Sequence, residues 1–128
     1  MSDMRSAAGR GDGVPERTGS RASAGAAVMQ YELRGVRVVV MHGAYDQHSI
    51  PPLEEALAAA ARDCSLVVLD ASGVRFADSS LLNLMLRTRR VVALRLAAPP
   101  PQLQRLLEIT GADAVLDTRA TVEEAVGA

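Results

Sequence analysis

The chain contains no lysine and no tryptophan, and its only aromatic residues are Tyr31, Tyr45 and Phe76. All 14 cationic side chains are arginines, and 15 acidic residues bring the formal net charge to −1 at pH 7. A chain with this charge balance has no strongly basic surface of the kind that binds nucleic acid. The scarcity of aromatics also excludes the stacking platforms of single-strand binders. We therefore expect no nucleic acid among its partners.

Cysteine and long apolar runs are scarce as well. Cys64 is the only cysteine, which rules out an internal disulfide and so a secreted disulfide scaffold. Residues 1–25 lack the continuous apolar stretch of a signal peptide or a spanning helix. These absences predict a cytoplasmic protein that does not insert into membranes. Cys64 itself extends an apolar helical stripe and is expected to be a small buried residue.

The length of the chain limits how many domains it can form. With 128 residues and 48% hydrophobic content, it can build one modest core but not two ordinary domains. Residues 1–28 show neither helical nor strand periodicity, and their composition predicts a disordered tail. The tripeptide Arg10-Gly11-Asp12 lacks the structural context of an adhesion motif and is attributed to chance. Residues 29–128 are predicted to form the ordered domain.

Strands and helices alternate along this domain after an initial pair of strands. Apolar periodicity and turn residues predict strands over 31–34, 36–41, 65–70 and 91–97, a short strand near 114–116, and helices over 51–63, 79–90, 99–110 and from 121 onward. Gly35 is expected in a tight turn and Gly111 in a left-handed helix cap. The order of elements predicts an α/β sandwich, in which a mixed sheet of four to five strands packs with about four helices.

The tripeptide Asp78-Ser79-Ser80 falls where a buried strand leads into a helix. Asp78 can act as the N-cap by accepting a hydrogen bond from a backbone N–H two or three residues later, which leaves Ser79 at the first helical position near solvent. Free N–H groups and the positive end of the helix dipole favour a phosphate there. The same residues are also simply a good helix start, and spacing alone does not separate the two interpretations.

A family resemblance adds to this interpretation. Residues 67–80 (VVLDASGVRFADSS) resemble the signature of the STAS family of bacterial anti-sigma factor antagonists, in which a Leu-Asp-x-Ser-Gly-Val strand leads into Asp-Ser-Ser/Thr-Gly-Leu. The loop of residues 43–46 (GAYD) is similar to the family's Gly-Glu-Leu-Asp, and residues 106–111 (LLEITG) are similar to its third-helix ending. The resemblance covers roughly residues 30–128 and implies a STAS-like fold.

The resemblance also implies a function, that of a binding module that is not an enzyme and needs no cofactor. Ser79 is implied as the phosphorylated residue, Asp78 as its neighbour, Asp46 as an adjacent loop acid and Ser80 as a second hydroxyl. The implied partner is an anti-sigma factor, a serine kinase with the histidine-kinase-like ATPase fold. The unphosphorylated chain would bind it and release a sigma factor, and phosphorylation would end the binding. A phosphatase is a further candidate partner.

Leu81 departs from the family pattern, because it stands where the family usually has glycine. Leu81 and Leu84 lie about a hundred degrees of helix rotation away from the stripe of Leu82, Met85 and Leu86. They are expected either to form an exposed apolar edge of the partner interface or to be core residues of a helix covered on two sides. The partner-binding residues are thus predicted to be Asp46, Asp78, Ser79, Ser80, Leu81 and Leu84.

Leu81 also keeps a second class of function open. In this alternative, the chain is a STAS scaffold that does not respond to phosphate, either in a signalling assembly or as an accessory subunit of a lipid transporter.

A zinc site at His42 and His48 is not expected, because no carboxylate or cysteine with ligand spacing accompanies them. A hydrolase is not expected either, because Ser79 lacks the Gly-x-Ser-x-Gly elbow.

Overall fold

The computed structural model describes residues 27–127. The predicted tail over residues 1–28 lies outside the described residues, except for its last two, which open the first strand. The elements in chain order are β1 (Ala27–Leu33), β2 (Val36–Tyr45), α1 (Ile50–Asp63), β3 (Leu66–Ala77), α2 (Ser79–Thr88), β4 (Ala93–Ala97), α3 (Pro101–Thr110), a 3₁₀ turn (Ala112–Ala114), β5 (Asp117–Arg119) and α4 (Val122–Gly127).

The strands form one mixed sheet in the order β1-β2-β3-β4-β5. β1 is antiparallel to β2, whereas the β2–β3, β3–β4 and β4–β5 pairs are parallel. Gly35, with φ 81°, makes the predicted tight turn between β1 and β2. The predicted fold class, a mixed sheet with four helices, is therefore confirmed. Because β1 runs opposite to β2, its first residue lies near the edge of the sheet where β2 and β3 end.

The two faces of the sheet have separate cores. One face packs against α1, α2 and α3, and the α1 stripe is buried as predicted, with Leu53, Ala56, Leu57 and Ala60 at most 8% exposed. The other face carries a smaller cluster under α4, formed by Val38, Val68, Ala97, Ala125 and Val126. Neighbouring strand residues such as Val38 and Val39 divide between the two clusters, as the two-residue period of a strand requires.

Several predicted boundaries differ from the structure. β3 continues to Ala77, beyond its predicted end at Asp70, because residues 73–77 go on pairing with β2. The short strand expected near 114–116 is present but begins three residues later: Ala112–Ala114 form a 3₁₀ turn, and β5 follows at Asp117–Arg119. Polar β5 is fixed beside β4 by an ion pair, in which Arg95 Nε lies 3.3 Å from Asp117 Oδ2. Cys64 is the C-cap of α1 and is half-buried, so it is less buried than predicted.

Helix ends follow the expected local rules. Gly111 caps α3 with a left-handed φ of 79°, as predicted. Thr121 caps α4 by accepting a hydrogen bond from the Glu124 N–H at 3.1 Å. Arg95 Nη1 donates to the Ala125 carbonyl at 2.7 Å, which ties α4 to the sheet. No helix within residues 27–127 is long and apolar enough to cross a membrane.

Candidate functional site at the start of α2

Asp78 is the N-cap of α2, as its position in the sequence predicted. Its backbone is extended, with φ −122° and ψ −167°, and its Oδ1 accepts a hydrogen bond from the Ser80 N–H at 2.8 Å. Its carbonyl accepts from the Leu81 N–H at 3.2 Å, which closes the first turn. The carboxylate thus satisfies one of the backbone donors that every helix start leaves unpaired.

Ser79 occupies the first position of α2 and is exposed, whereas Ser80 is half-buried. Among residues 27–127, the Ser79 hydroxyl has no hydrogen-bonding partner. Because Asp78 supplies the cap, no part of the helix start depends on the Ser79 side chain. The hydroxyl is therefore open to another protein, and it lies at the positive end of the helix dipole.

Strand pairing brings Asp46 to the same edge of the sheet. Tyr45 is paired with Ala77 in the parallel β2–β3 ladder, and the Asp78 N–H donates to the Tyr45 carbonyl at 3.3 Å. Asp46 and Asp78 directly follow these two paired residues. The structure therefore brings the Asp46 loop against the start of α2.

The Asp46 carboxylate organises its own loop. Its Oδ1 accepts from the His48 N–H at 2.9 Å and from the Ser49 N–H at 3.2 Å. The pKa of Asp46 is lowered, chiefly by the hydrogen bond from the His48 N–H, with further hydrogen bonds from Ser49, against a smaller opposing effect of desolvation. Asp46 is thus ionised at neutral pH and fixes the loop that borders Ser79.

Ser49 is a buried polar residue that the sequence analysis missed. Its Oγ accepts from the Asp46 N–H at 2.9 Å and donates to the Ala44 carbonyl at 3.0 Å, with only 3% of the residue exposed. These bonds connect the end of β2 to the start of α1. The signal was present in the Asp-x-x-Ser spacing before a proline-opened helix, which is typical of local side-chain to backbone bonding.

Leu81 and Leu84 are buried, with 0% and 2% of their surface exposed. The expectation that they form an exposed apolar edge for a partner is therefore wrong, and the core alternative is correct. The physical reason is that α2 packs against α1 as well as the sheet, so its inward face is wider than one stripe. That face includes Leu81, Leu82, Leu84, Met85 and Thr88.

Two further residues near Ser79 were not singled out from the sequence. Phe76 is 47% exposed three residues before Ser79. Gln102 Nε2 donates to the Ala77 carbonyl at 3.1 Å, which fixes the start of α3 to the end of β3. The register between β2 and β3 shifts beside Phe76, so strict alternation fails there and the sequence pattern could not reveal its exposure.

Gly73 allows β2 and β3 to approach closely on the way to the site. A Cβ at this position would lie 2.8 Å from the Met41 carbonyl oxygen and 3.1 Å from His42 Cδ2.

The two histidines considered as metal ligands, His42 and His48, are both exposed. Within the described part of the chain, no three His, Cys, Asp or Glu side chains are grouped so that they could hold a metal ion.

The sequence profile of the STAS domain family matches residues 27–125. The chain belongs to the STAS domain family. No match is found among curated protein sequences.

Several solved structures share the architecture of this STAS domain. An anti-sigma factor antagonist from Mycobacterium paratuberculosis is 26% identical with a TM-score of 0.74, and the match covers 80% of this chain and 92% of that one. The anti-sigma factor antagonist SpoIIAA in its unphosphorylated form is 21% identical with a TM-score of 0.66, covering 78% and 93%. Bacillus SpoIIAA in its phosphorylated form is also 21% identical, with a TM-score of 0.61, covering 79% and 97%. The STAS domain thus has the fold of anti-sigma factor antagonists.

Proposed function

We propose that this STAS domain is an anti-sigma factor antagonist that phosphorylation of Ser79 switches off. The observation that carries the proposal is the exposed Ser79 hydroxyl at the first position of α2, beside an Asp78 that already caps the helix. The family signature around it and the likeness to a mycobacterial anti-sigma factor antagonist support the same function.

In this proposal the partner is a cytoplasmic anti-sigma factor, a serine kinase with the histidine-kinase-like ATPase fold. The unphosphorylated chain binds it and releases a sigma factor. The kinase transfers the γ-phosphoryl group of ATP to Ser79 Oγ: the new O–P bond forms, the bond to the leaving ADP breaks, and the kinase takes the hydroxyl proton. The chain itself is not an enzyme and needs no cofactor, and a phosphatase restores the hydroxyl.

The surface around Ser79 explains why a phosphate would end binding. Asp78 and Ser80 flank Ser79 in the chain, and the Asp78 N–H bond to the Tyr45 carbonyl holds the Asp46 loop against the same helix start. Phe76, three residues before Ser79, adds an exposed aromatic ring of a type enriched in protein interfaces. A phosphate adds about −1.5 to −2 charges at this position. Placing that charge in a closed interface requires its desolvation, next to two carboxylates that carry the same sign. The helix itself tolerates the phosphate, because negative charge at its N-terminus is favourable.

The burial of Leu81 also bears on the alternative of a phosphate-insensitive scaffold. That alternative rested on Leu81 projecting beside Ser79 in place of glycine. With 0% of its surface exposed, Leu81 places no side chain on the surface that a kinase approaches. This geometry favours the phosphorylated switch over the scaffold in a signalling assembly or a lipid transporter.

The proposal is tested by affinity capture from a lysate of the encoding organism. The wild-type chain is expected to retain an anti-sigma factor, which mass spectrometry identifies, and Ser79→Asp is expected to lose it. Ser80→Ala is the matched control and should retain most of the binding. Equal capture of the anti-sigma factor by wild type and Ser79→Asp would contradict the proposal.

A further inference from the structure

The face of the sheet that α4 covers is left partly open at β1. α4 packs over β3, β4 and β5, whereas Met29 and Tyr31 on β1 are 66% and 44% exposed. They lie on the α4 face, because their partners across the ladder are Val40 and Val38, and Val38 belongs to the cluster under α4. We call Met29, Tyr31 and the half-buried Val40 the open strip.

Carboxylates border the open strip. Asp70 is paired with Val40 on the neighbouring strand β3, and Glu123 is in the first turn of α4. Burial raises the pKa of Tyr31, and the charges of Asp70 and Glu123 raise it further. The open strip therefore suits an occupant that carries positive charge together with small apolar groups.

The preceding part of the chain has this chemistry and is connected nearby. Residues 17–26 (RTGSRASAGA) contain Arg17 and Arg21, no acid, and four alanines and glycines among the last five residues. They join β1 at Ala27, two residues before Met29 and four before Tyr31. Tyr31 lies roughly 13 Å along the strand from this junction. Arg21 is six residues away and can extend up to about 20 Å from it, so its guanidinium can reach the open strip.

We propose that residues 17–26 dock on the open strip, with Arg17 and Arg21 directed at Asp70, Glu123 and the ring of Tyr31. A guanidinium can stack on an aromatic face while donating hydrogen bonds to a carboxylate. The docked segment covers Met29 and lies beside β1, whose outer side has no neighbouring strand among residues 27–127. It thereby shields an edge strand that would otherwise be free to pair with another chain.

The test is site-specific photo-crosslinking in the full chain, with p-benzoylphenylalanine in place of Tyr31. Peptide mapping is expected to find intrachain cross-links to residues 17–26 whose yield does not depend on protein concentration. The double variant Arg17→Gln, Arg21→Gln should lower this yield about fivefold, as expected for the loss of two exposed ion pairs. The matched control Arg89→Gln, Arg90→Gln, which removes two exposed arginines beyond α2, should leave the yield unchanged.

Two further probe positions keep the result interpretable. The same probe at Met29 should reach residues 17–26, whereas the probe at Ile109, which is 75% exposed on α3 over the other face, should not. Cross-links between two chains that increase with concentration would show that a second copy occupies the open strip, and would overturn the proposal. Absence of cross-links to residues 17–26, or a yield unaffected by the arginine substitutions, would overturn it equally. None of these outcomes depends on phosphorylation of Ser79.

Discussion

At the residue scale, two tasks at the start of α2 are divided between neighbouring side chains. Asp78 accepts the capping hydrogen bond from the Ser80 N–H, and Ser79 leaves its hydroxyl in solvent. A serine that served as the cap would lose its capping bond when phosphorylated, so the switch would also weaken the helix. With the cap on Asp78, a phosphate on Ser79 changes the surface without removing a structural bond.

The cap is expected to contribute measurably to stability. Asp78→Ala should lower the free energy of unfolding by about 1 kcal/mol, within a range of about 0.5–2, because it leaves the Ser80 N–H unpaired. Asp78→Asn should retain most of that stability, since its side-chain oxygen can still accept the bond. Urea denaturation measures both. A loss for Asp78→Asn as large as that for Asp78→Ala would contradict the capping role.

The Asp46 loop predicts a pH dependence. Its hydrogen bonds hold the folded-state pKa of Asp46 below the unfolded value of about 3.9. Asp46 therefore contributes stability that is fully present above the unfolded pKa and is lost as the pH falls through the lowered folded pKa. The stability difference between wild type and Asp46→Asn should be constant near neutral pH and should change in favour of Asp46→Asn in acid. Urea denaturation over a series of pH values measures it, and a difference that does not vary with pH would contradict the account.

At the element scale, α2 is held by a core that extends to its first turn. Leu81→Ala is expected to lower the free energy of unfolding by about 2–5 kcal/mol, because it leaves a cavity where the side chain is fully buried. Ile109→Ala, at a 75% exposed position of α3, is the control and should change stability by no more than about 0.5 kcal/mol. Thermal or urea unfolding measures both. A Leu81→Ala variant as stable as wild type would show that Leu81 is not part of the core.

Helices were easier to predict from the sequence than the strands that pair with distant partners. The α1 stripe from Leu53 to Ala60 follows a local period, so the sequence alone locates it. β3 was predicted to end at Asp70, because Ser72 and Gly73 are typical of a turn. Its continuation to Ala77 depends on β2, which accommodates two register shifts and approaches Gly73 closely. Polar β5 had no local signal, since its ion pair with Arg95 on β4 is a tertiary contact.

At the candidate site too, features set by local sequence were predictable and features set by contacts between distant segments were not. The cap at Asp78 and the exposure of Ser79 follow from local rules for helix starts, and both were predicted. The nearness of Asp46 was implied only by the family resemblance, because it requires the parallel pairing of Tyr45 with Ala77. The burial of Leu81 and Leu84 could not be derived from one helical stripe, since α1 covers a second side of α2.

At the scale of the whole molecule, the sheet topology brings the Asp46 loop, the start of α2 and the junction with residues 1–26 to one end of the sheet. The parallel strands β2 and β3 end there, which places the Asp46 loop beside the start of α2. The antiparallel β1 begins there, with Ala27 paired to His42, so residues 1–26 join the domain at the same edge. A phosphate on Ser79 would thus change the charge of one edge while both cores behind it stay packed. We expect the proposed phosphorylation to act on the surface that binds the partner rather than through a change of fold.

The proposed switch at Ser79 is tested most directly by locating the phosphate. The purified chain is incubated with ATP and the anti-sigma factor recovered by affinity capture, and mass spectrometry maps the product. We predict a single phosphate on Ser79 in wild type and in Ser80→Ala, and none in Ser79→Ala. Phosphorylation of Ser79→Ala to the wild-type level would contradict the assignment of Ser79 as the switch.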